Sequence, residues 1–401
     1  MKYAFLTTLI PKQMADEVAN YSKYNMQDAA NALQWHIYDG FCDNFKEDIK
    51  ILNVLPIGSF PQYYSKPFIK KSLFDTEMAK NHVNIGFCNV KLIRKYRQTT
   101  KIFTELKKWC KEDDEEKTLF VYTASASFLK AVSKIKKQYP MLKVCVIIAD
   151  LPNMFNLSSN ISLLQKLFNK RQATVAYSSM GCVDAFVLLT KQMADYMNLT
   201  KPYVVMEGIS TFHNFVKTEE KSDTKKILYT GTLHKKFGVL NLVKAFSLIE
   251  DLNYELLICG CGDSEDEISK MSIQDSRIHF MGQLRREEIL KLQQEATILV
   301  NPRQNNEEFT KYSFPSKNLE YLSSGIPLVA YKLDGIPNEY DDYINYVKDD
   351  SIEALRDTLV SVCEDTDGIA CIRAQKAVEF VKSEKNAQKQ TLKIKNMVDA
   401  L

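Results

Sequence analysis

Paired cysteines are missing from this 401-residue chain. Its nine cysteines are scattered without a CxxC pair, so neither a disulfide framework nor a zinc site is indicated. Cys259 and Cys261 form a CxC among glycines at a strand end, where small packing residues are expected. The histidines show no HxH or HExxH spacing, so no metal is expected. No apolar run approaches the ~18 residues that a membrane span requires. The N-terminal run MKYAFLTTLI ends at Pro11 without a small-residue cleavage site, which reads as a buried first strand and not a signal peptide. These absences lead to the expectation of a protein in the reducing cytoplasm. Neither GxGxxG nor the Walker pattern occurs. Low-complexity segments and solenoid-period repeats are also missing.

What is present describes a globular protein. Apolar residues make up 45% and charged residues 26%, and the length fits two to three domains. The net charge of +3 conceals an asymmetry. Residues 1–200 carry 27 Lys and Arg against 18 Asp and Glu, or +9, whereas residues 201–401 carry 26 against 32, or −6. The first half is therefore expected to meet something anionic. The basic residues are dispersed over many elements without a recognition motif, which argues against nucleic acid.

Strand-like runs alternate with amphipathic helical stretches in both halves. KYAFLTT, DIKILNVLP, VNIGF, TLFVYTA, KVCVIIAD and DAFVLLT read as strands in the first half. KKILYTGTL, YELLICG, RIHFMG, TILVNPR and IPLVAYKL read as strands in the second. Such alternation predicts parallel sheets covered by helices, that is, two doubly wound α/β domains with ligands beyond the carboxyl ends of the strands and between the domains. The expected division is an N-terminal domain 1–205, a C-terminal domain 206–385, and a terminal helix 386–401 that could cross back to the N-terminal domain. A polar linker is expected within 202–222, and AQKAVEFVKSEKNAQKQTLKIKNMV reads as one long helix.

The stretch from Asn301 to Leu333 carries the most chemistry. It reads as a strand ending near Arg303, a polar loop to Tyr312, and a helix from about Pro315 to Gly325 with Ser313 as a cap. Lys317, Glu320 and Ser324 would share a polar face, with Leu319 and Leu322 turned to the core. A lysine in a first helical turn opposes the helix dipole and makes sense where a phosphate docks. Two glycine-bearing strand ends accompany it, Thr230-Gly231-Thr232 and Cys259-Gly260-Cys261. Each suits close approach of a ligand or a plain tight turn.

Together residues 225–345 resemble the nucleotide-sugar-binding domain of family 4 glycosyltransferases, retaining enzymes of the GT-B fold. YTGTLHKKFGVLNLVKAF, LLICGCGD, HFMGQLRREEILKLQQEATILVNP and YSFPSKNLEYLSSGIPLV follow that family's order and spacing. The first 200 residues match only in βα character and length. The resemblance implies that Glu320 accepts hydrogen bonds from the donor ribose. It places Ser316, Lys317 and Lys236 (with Lys235 as an alternative) at the diphosphate, and Phe280, Met281 and Gly282 against the base. Two positions depart from the family pattern. Tyr312 replaces the first motif glutamate, for which Glu307 or Glu308 could substitute. Thr232 replaces an arginine, for which Arg303 could compensate, unless Arg303 is a surface residue paired with Glu307 or Glu308. Asp150, before Leu-Pro, resembles the polar residue that reaches the donor sugar or acceptor, or else turns the chain. Thr7 and Thr8 stand where a glycine pair is usual.

The expectation is a GT-B transferase that moves a sugar from a nucleoside-diphosphate donor, its co-substrate, to a saccharide acceptor, without cofactor or metal. The pattern of Arg303 with FPSK and EYL resembles a subgroup of bacterial surface-polysaccharide assembly, which implies a polyprenyl-diphosphate-linked acceptor. Residues 60–74, FPQYYSKPFIKKSLF, interleave aromatic and basic residues as an anionic membrane surface would require, or form a partly buried loop. A nucleotide-sugar epimerase and a catalytically degenerate nucleotide-binding module are the alternatives.

Overall fold

The computed structural model describes residues 1–23, 28–46, 49–154, 162–210 and 223–401. Two compact units result, one of residues 1–209 with 387–401 and the other of 210–386. Residues 211–222, most of the expected linker, lie outside the described residues.

The described strands of unit 1 are β1 (Lys2–Thr7), β2 (Ile49–Asn53), β3 (Phe68–Ile69), β4 (Ser72–Phe74) and β5 (His82–Asn84). They continue with β6 (Phe87–Cys88), β7 (Lys117–Tyr122), β8 (Lys143–Ile148), β9 (Ala185–Leu188) and β10 (Tyr203–Val205). Its helices are α1 (Ala15–Tyr21), α2 (Asp28–Phe45), α3 (Arg94–Cys110), α4 (Ala126–Gln138), α5 (Leu163–Ser179) and α6 (Lys191–Tyr196). The main sheet runs β10-β9-β8-β7-β1-β2-β5-β4. All its pairings are parallel except β4 with β5. Strand β7, KTLFVY, is buried at every position, as a central parallel strand covered on both faces must be. The expected strand VNIGF is instead split into β5 and β6. A Cβ at Gly86 would lie 2.4 Å from the Lys71 backbone N, so the chain bends there and β6 pairs antiparallel with β3.

Unit 2 follows the same plan with β11 (Lys225–Thr230), β12 (Tyr254–Cys259), β13 (Ile278–Gly282), β14 (Ile298–Asn301), β15 (Leu328–Ala330) and β16 (Asn345–Tyr346). The order β13-β12-β11-β14-β15-β16 is parallel throughout. Helices α7 (Val239–Ser247), α8 (Glu265–Gln274), α9 (Arg286–Glu295), α10 (Ser316–Leu322) and α11 (Ile352–Cys363) cover it, with α12 (Ile369–Glu384) closing the unit.

The predicted single terminal helix is broken. Helix α12 ends at Glu384 and α13 (Ala387–Asp399) begins anew, with the unit boundary at the break. Lys385 fixes the stop: its ammonium is buried, bonds Glu339 at 2.7 Å, and sits over the Tyr340 and Phe380 rings. Helix α13 then packs on α2, burying Ile394 and Val398 in the core of unit 1. A Cβ at Gly40 of α2 would lie 2.4 Å from the Ala387 carbonyl oxygen, so that contact requires glycine.

Each sheet has one point where strand order reverses, and ligands bind beyond the strand ends there in open α/β sheets. In unit 1 it lies between β1 and β7, in unit 2 between β11 and β14.

Candidate active site

In unit 2 the loop after β11 and the loop after β14 meet at this reversal. Gly238, at φ +77°, lies so close to Pro302 that a Cβ would come 2.0 Å from its carbonyl oxygen. Asn241 donates to Gln304 Oε1 at 2.8 Å, and the Lys236 ammonium lies 3.5 Å from Glu307. Glu307, and not the exposed Glu308, is thus the carboxylate brought to Lys236. Lys235 turns to Glu267 of α8 instead.

Arg303 is not the ion-paired surface residue weighed above. Its guanidinium sits between two rings, 5.1 Å from the Phe237 centroid and 4.3 Å from that of Phe309. Nη2 donates to Ser313 Oγ at 2.9 Å, while Nε is buried without a partner. No carboxylate lies within salt-bridge distance among the described residues, and burial lowers its pKa to about 10. Ser313 therefore does not cap the helix: its hydroxyl accepts from Arg303 and donates to the Phe309 carbonyl. The N-cap of α10 is Pro315, without a side-chain cap.

Helix α10 spans seven residues, shorter than the sequence pattern suggests. Leu319 and Leu322 are buried as expected. Ser324 is buried as well, donating to the Tyr321 carbonyl and accepting from Ile326 N, so it leaves the expected polar face to Lys317 and Glu320. Lys317 Nζ lies 3.1 Å from Glu320 Oε2, Arg286 of α9 lies 3.7 Å from the same oxygen, and Gln293 donates to Oε1 at 2.7 Å. Burial pushes the Glu320 carboxyl up, but Lys317, Gln293 and Arg286 outweigh it and hold the group below its ordinary range. Glu320 is thus a fixed, charged acceptor of hydrogen bonds. Ser316, at the start of α10, is exposed, and Tyr312 ends a 3-10 turn over Glu308–Tyr312.

Two buried links that sequence reasoning missed hold α10 in place. Tyr321 Oη accepts from Thr230 N at 2.9 Å and lies 3.0 Å from Thr230 Oγ1, tying the helix to the end of β11. Asn301, ending β14, donates to Asn318 Oδ1 at 2.6 Å. Both residues sat inside an apolar or polar pattern that gave no sign of a specific partner. Gln293 and Arg286 likewise read only as polar positions of an amphipathic helix.

The glycines divide by cause. A Cβ on Gly260, at φ +140°, would fall 1.8 Å from the Gly231 carbonyl oxygen. This glycine lets the chain leaving β12 lie against the backbone just after β11, the tight-turn demand that the sequence left open beside ligand approach. Gly231 N bonds the Cys259 carbonyl at 3.0 Å, and the Thr232 carbonyl accepts from Tyr229 Oη, with the Thr232 side chain exposed. Gly282, at φ +64°, has open space where a Cβ would be, and neighbouring Met281 is exposed on the edge strand β13. The Cys259 thiol is buried and Cys261 half-buried, both reduced.

In unit 1, the ends of β1, β2, β7 and β8 surround a cavity of about 290 Å³. Asp150 stands at its rim, open to solvent through the mouth while the surrounding protein raises its pKa by desolvation. Thr8 lines the cavity, its N–H held by Gln34 at 2.7 Å. Thr7 is buried and donates to Asn53, a structural contact and not a phosphate loop. In residues 60–74, Tyr64 and Phe74 are buried, and Lys66 and Lys71 pair with Glu17 and Glu105. Only part of that segment is a free aromatic-basic surface. Among the described residues no cluster of three or more His, Cys, Asp or Glu could hold a metal ion, and no helix is long and apolar enough to cross a membrane.

Residues 211–383 match the family described as Glycosyl transferases group 1. No curated relative matches the sequence. Among solved structures the chain is similar to sucrose-phosphate synthase from Thermosynechococcus elongatus, with TM-score 0.68, 12% identity, and 100% of this chain and 99% of that one covered. It is also similar to the lipopolysaccharide outer core galactosyltransferase WaaB (0.62, 14%, 100% and 99%). A third is an α,α-trehalose-phosphate synthase from Burkholderia xenovorans (0.64, 11%, 99% and 100%). The chain thus has the two-domain GT-B fold, and the unit that holds Glu320, Lys317, Lys236 and Arg303 matches a glycosyltransferase family.

Proposed function

We propose that the protein is a retaining glycosyltransferase, similar to family 4, that moves a sugar from a nucleoside-diphosphate sugar to a lipid-linked saccharide in bacterial surface-polysaccharide synthesis. The observation that carries this reading is Glu320: a carboxylate kept charged by Lys317, Gln293 and Arg286 beside the strand-order reversal of unit 2. Two ribose hydroxyls are suitable donors to it, and Lys317 and Lys236 stand ready for the diphosphate. The backbone of Met281 and Gly282 is open enough to meet a base.

In the reaction the bond from the anomeric carbon to the phosphate oxygen breaks, and a bond to the acceptor oxygen forms on the same face. The acceptor proton passes to the departing phosphate. Negative charge grows on the diphosphate, so Lys236, Lys317 and Arg303 stabilise the transition state more than the bound donor. The ion pairs with Glu307 and Glu320 hold the two lysines in place before the donor arrives. Asp150, with its raised pKa, would orient an acceptor hydroxyl. For membrane contact the support is the sequence Lys91-Leu92-Ile93-Arg94-Lys95-Tyr96-Arg97, where Leu92, Ile93 and Tyr96 are exposed between cations. Failure to bind anionic vesicles at low salt would remove the membrane part of the reading.

Calorimetric titration with UDP, GDP, ADP and CMP tests the donor site. One diphosphate is expected to bind and to lose at least tenfold, ~1.4 kcal/mol, with Glu320→Ala. Unchanged binding in that variant would sink the role given to Glu320. No binding by any nucleotide would leave a degenerate module.

A further inference from the structure

The cavity of unit 1 contains two cations with no ion-pair partner among the described residues. Helix α3 begins with Arg94 and Lys95, and both side chains line the cavity. Neither has a carboxylate within salt-bridge distance among the described residues. Arg94 donates one guanidinium N–H to the Ile57 carbonyl, and its Nε is buried without a partner. Burial lowers Arg94 to about 10; Lys95, exposed at the cavity mouth, is lowered to about 8 by desolvation from the surrounding protein and by the Arg94 charge. Two cations in a helical first turn that lacks an acid oppose the helix dipole, and the Arg94 charge disfavours that of Lys95. Gln98, one turn on and on the same wall, is 4% exposed, and its side-chain amide has no partner among the described residues.

The facing wall repeats the pattern. Helix α4 starts beside the cavity with Ser125 as N-cap, yet no side-chain cap bond forms and its first turn is free of acids. The Ser125 and Ser127 hydroxyls, 3.4 Å apart, also line the space. Thr99 ties the helices together by donating to the Ser127 carbonyl at 3.1 Å. Asp150 stands on the same lining without neutralising the cations.

The geometry points to a phosphate-ester subsite in unit 1, in which Arg94, Lys95, Gln98 and the serines at the start of α4 hold the phosphate of the acceptor. This rests on the transferase reading for the word acceptor, but the anion site stands on its own geometry. A volume of about 290 Å³ is at the low end for small-ligand sites, enough for a phosphate with an adjoining sugar. The phosphate could belong to a soluble sugar phosphate or to a lipid-linked one. The exposed Leu92, Ile93 and Tyr96 next to Arg94 leave room for either.

The test compares a hexose 1-phosphate, the parent hexose, and a prenyl phosphate in neutral vesicles, each titrated into the full chain. The expected result is at least tenfold tighter binding of the phosphate than of the hexose, reduced at least fivefold by Lys95→Gln. Lys95 lies at the solvent-open mouth, so this variant keeps the fold, which thermal melting checks. Gln98→Leu should weaken the phosphate alone. Saturable binding of the vesicle prenyl phosphate in competition with the hexose phosphate assigns the lipid source, and binding of the soluble ester alone assigns the other. Equal binding of hexose and hexose phosphate, or full affinity in Lys95→Gln, overturns the subsite. Nucleotide affinity measured in the same variants should stay within twofold. Loss of nucleotide binding by the wild type would defeat the donor reading while leaving this result standing.

Discussion

The two units share a topology and differ in how they treat positive charge. In unit 2 the lysines at the strand-order reversal each have a counter-ion, Lys236 with Glu307 and Lys317 with Glu320, and Arg303 rests between aromatic rings. In unit 1 Arg94 and Lys95 have none among the described residues. A site with internal partners is organised before its ligand comes, at the cost of competition for the cations. A site without them is electrostatically strained until an anion enters. On the proposed reading the two crevices recognise anions in two different ways.

The largest expected effect breaks unit 2 without touching unit 1. Gly260→Ala places a Cβ against the Gly231 carbonyl at a left-handed φ. It should cost about 3 kcal/mol or more, read as loss of nucleotide binding and of the unfolding transition of unit 2, while hexose-phosphate binding survives. A stable protein with intact nucleotide binding would show that the strand ends can separate. Next comes Tyr321→Phe. Removing the hydroxyl leaves the buried Thr230 N–H without its partner, which should lower stability by about 1–3 kcal/mol in denaturant titration and weaken nucleotide binding in parallel.

Glu307→Gln sharpens the comparison by making unit 2 resemble unit 1. Both members of the pair are partly exposed, so its loss is worth less than about 1 kcal/mol. Nucleoside-diphosphate affinity should rise by about two- to threefold as Lys236 is released. If Glu307 also replaces the missing motif carboxylate at the donor sugar, turnover falls while diphosphate affinity rises, and kinetics alongside calorimetry separate the two.

The smallest effect is on pH dependence. Desolvation by the protein around the cavity mouth, with the Arg94 charge, depresses the Lys95 pKa to about 8 in the folded protein, so between that pH and the ordinary lysine value the unfolded chain binds more protons. The contribution of this group to stability therefore rises with pH across that window. Hexose-phosphate affinity should fall over it as the ammonium is lost. Asp150 stays ionised over this window, and Arg94, lowered to about 10, titrates only at its upper end, so Lys95→Gln should flatten the profile below about pH 9. A wild-type profile already flat from pH 7 to 10 would remove Lys95 from the subsite.

Residues with local signatures were legible in the sequence. Alternating strands and helices predicted the two parallel sheets, and the glycines, prolines and spacing of 225–345 predicted where Glu320 and Lys317 would stand. These depend on contacts within a few residues, or on a pattern repeated over a whole element. Arg94, Lys95 and Gln98 were not legible, because they sit in a helix whose pattern, LIRKYRQTTKIF, reads as ordinary amphipathicity. Their meaning comes from β1, β7, β8 and α4, which are distant in sequence. The break at Lys385 was hidden for the same reason, since its partner Glu339 lies 46 residues away, with Tyr340 beside it.

By itself, then, the sequence determined the fold class, the order of elements and the polar face of α10, because periodicity and turn chemistry act locally. Tertiary structure alone decided which charges are answered. It placed Glu307 against Lys236, put Arg303 between two rings, used Gly260 where the chain after β12 meets the Gly231 backbone, and left Arg94 and Lys95 facing a cavity. Ion pairing and burial depend on inverse distance and local dielectric, quantities that exist only once distant segments have been brought together.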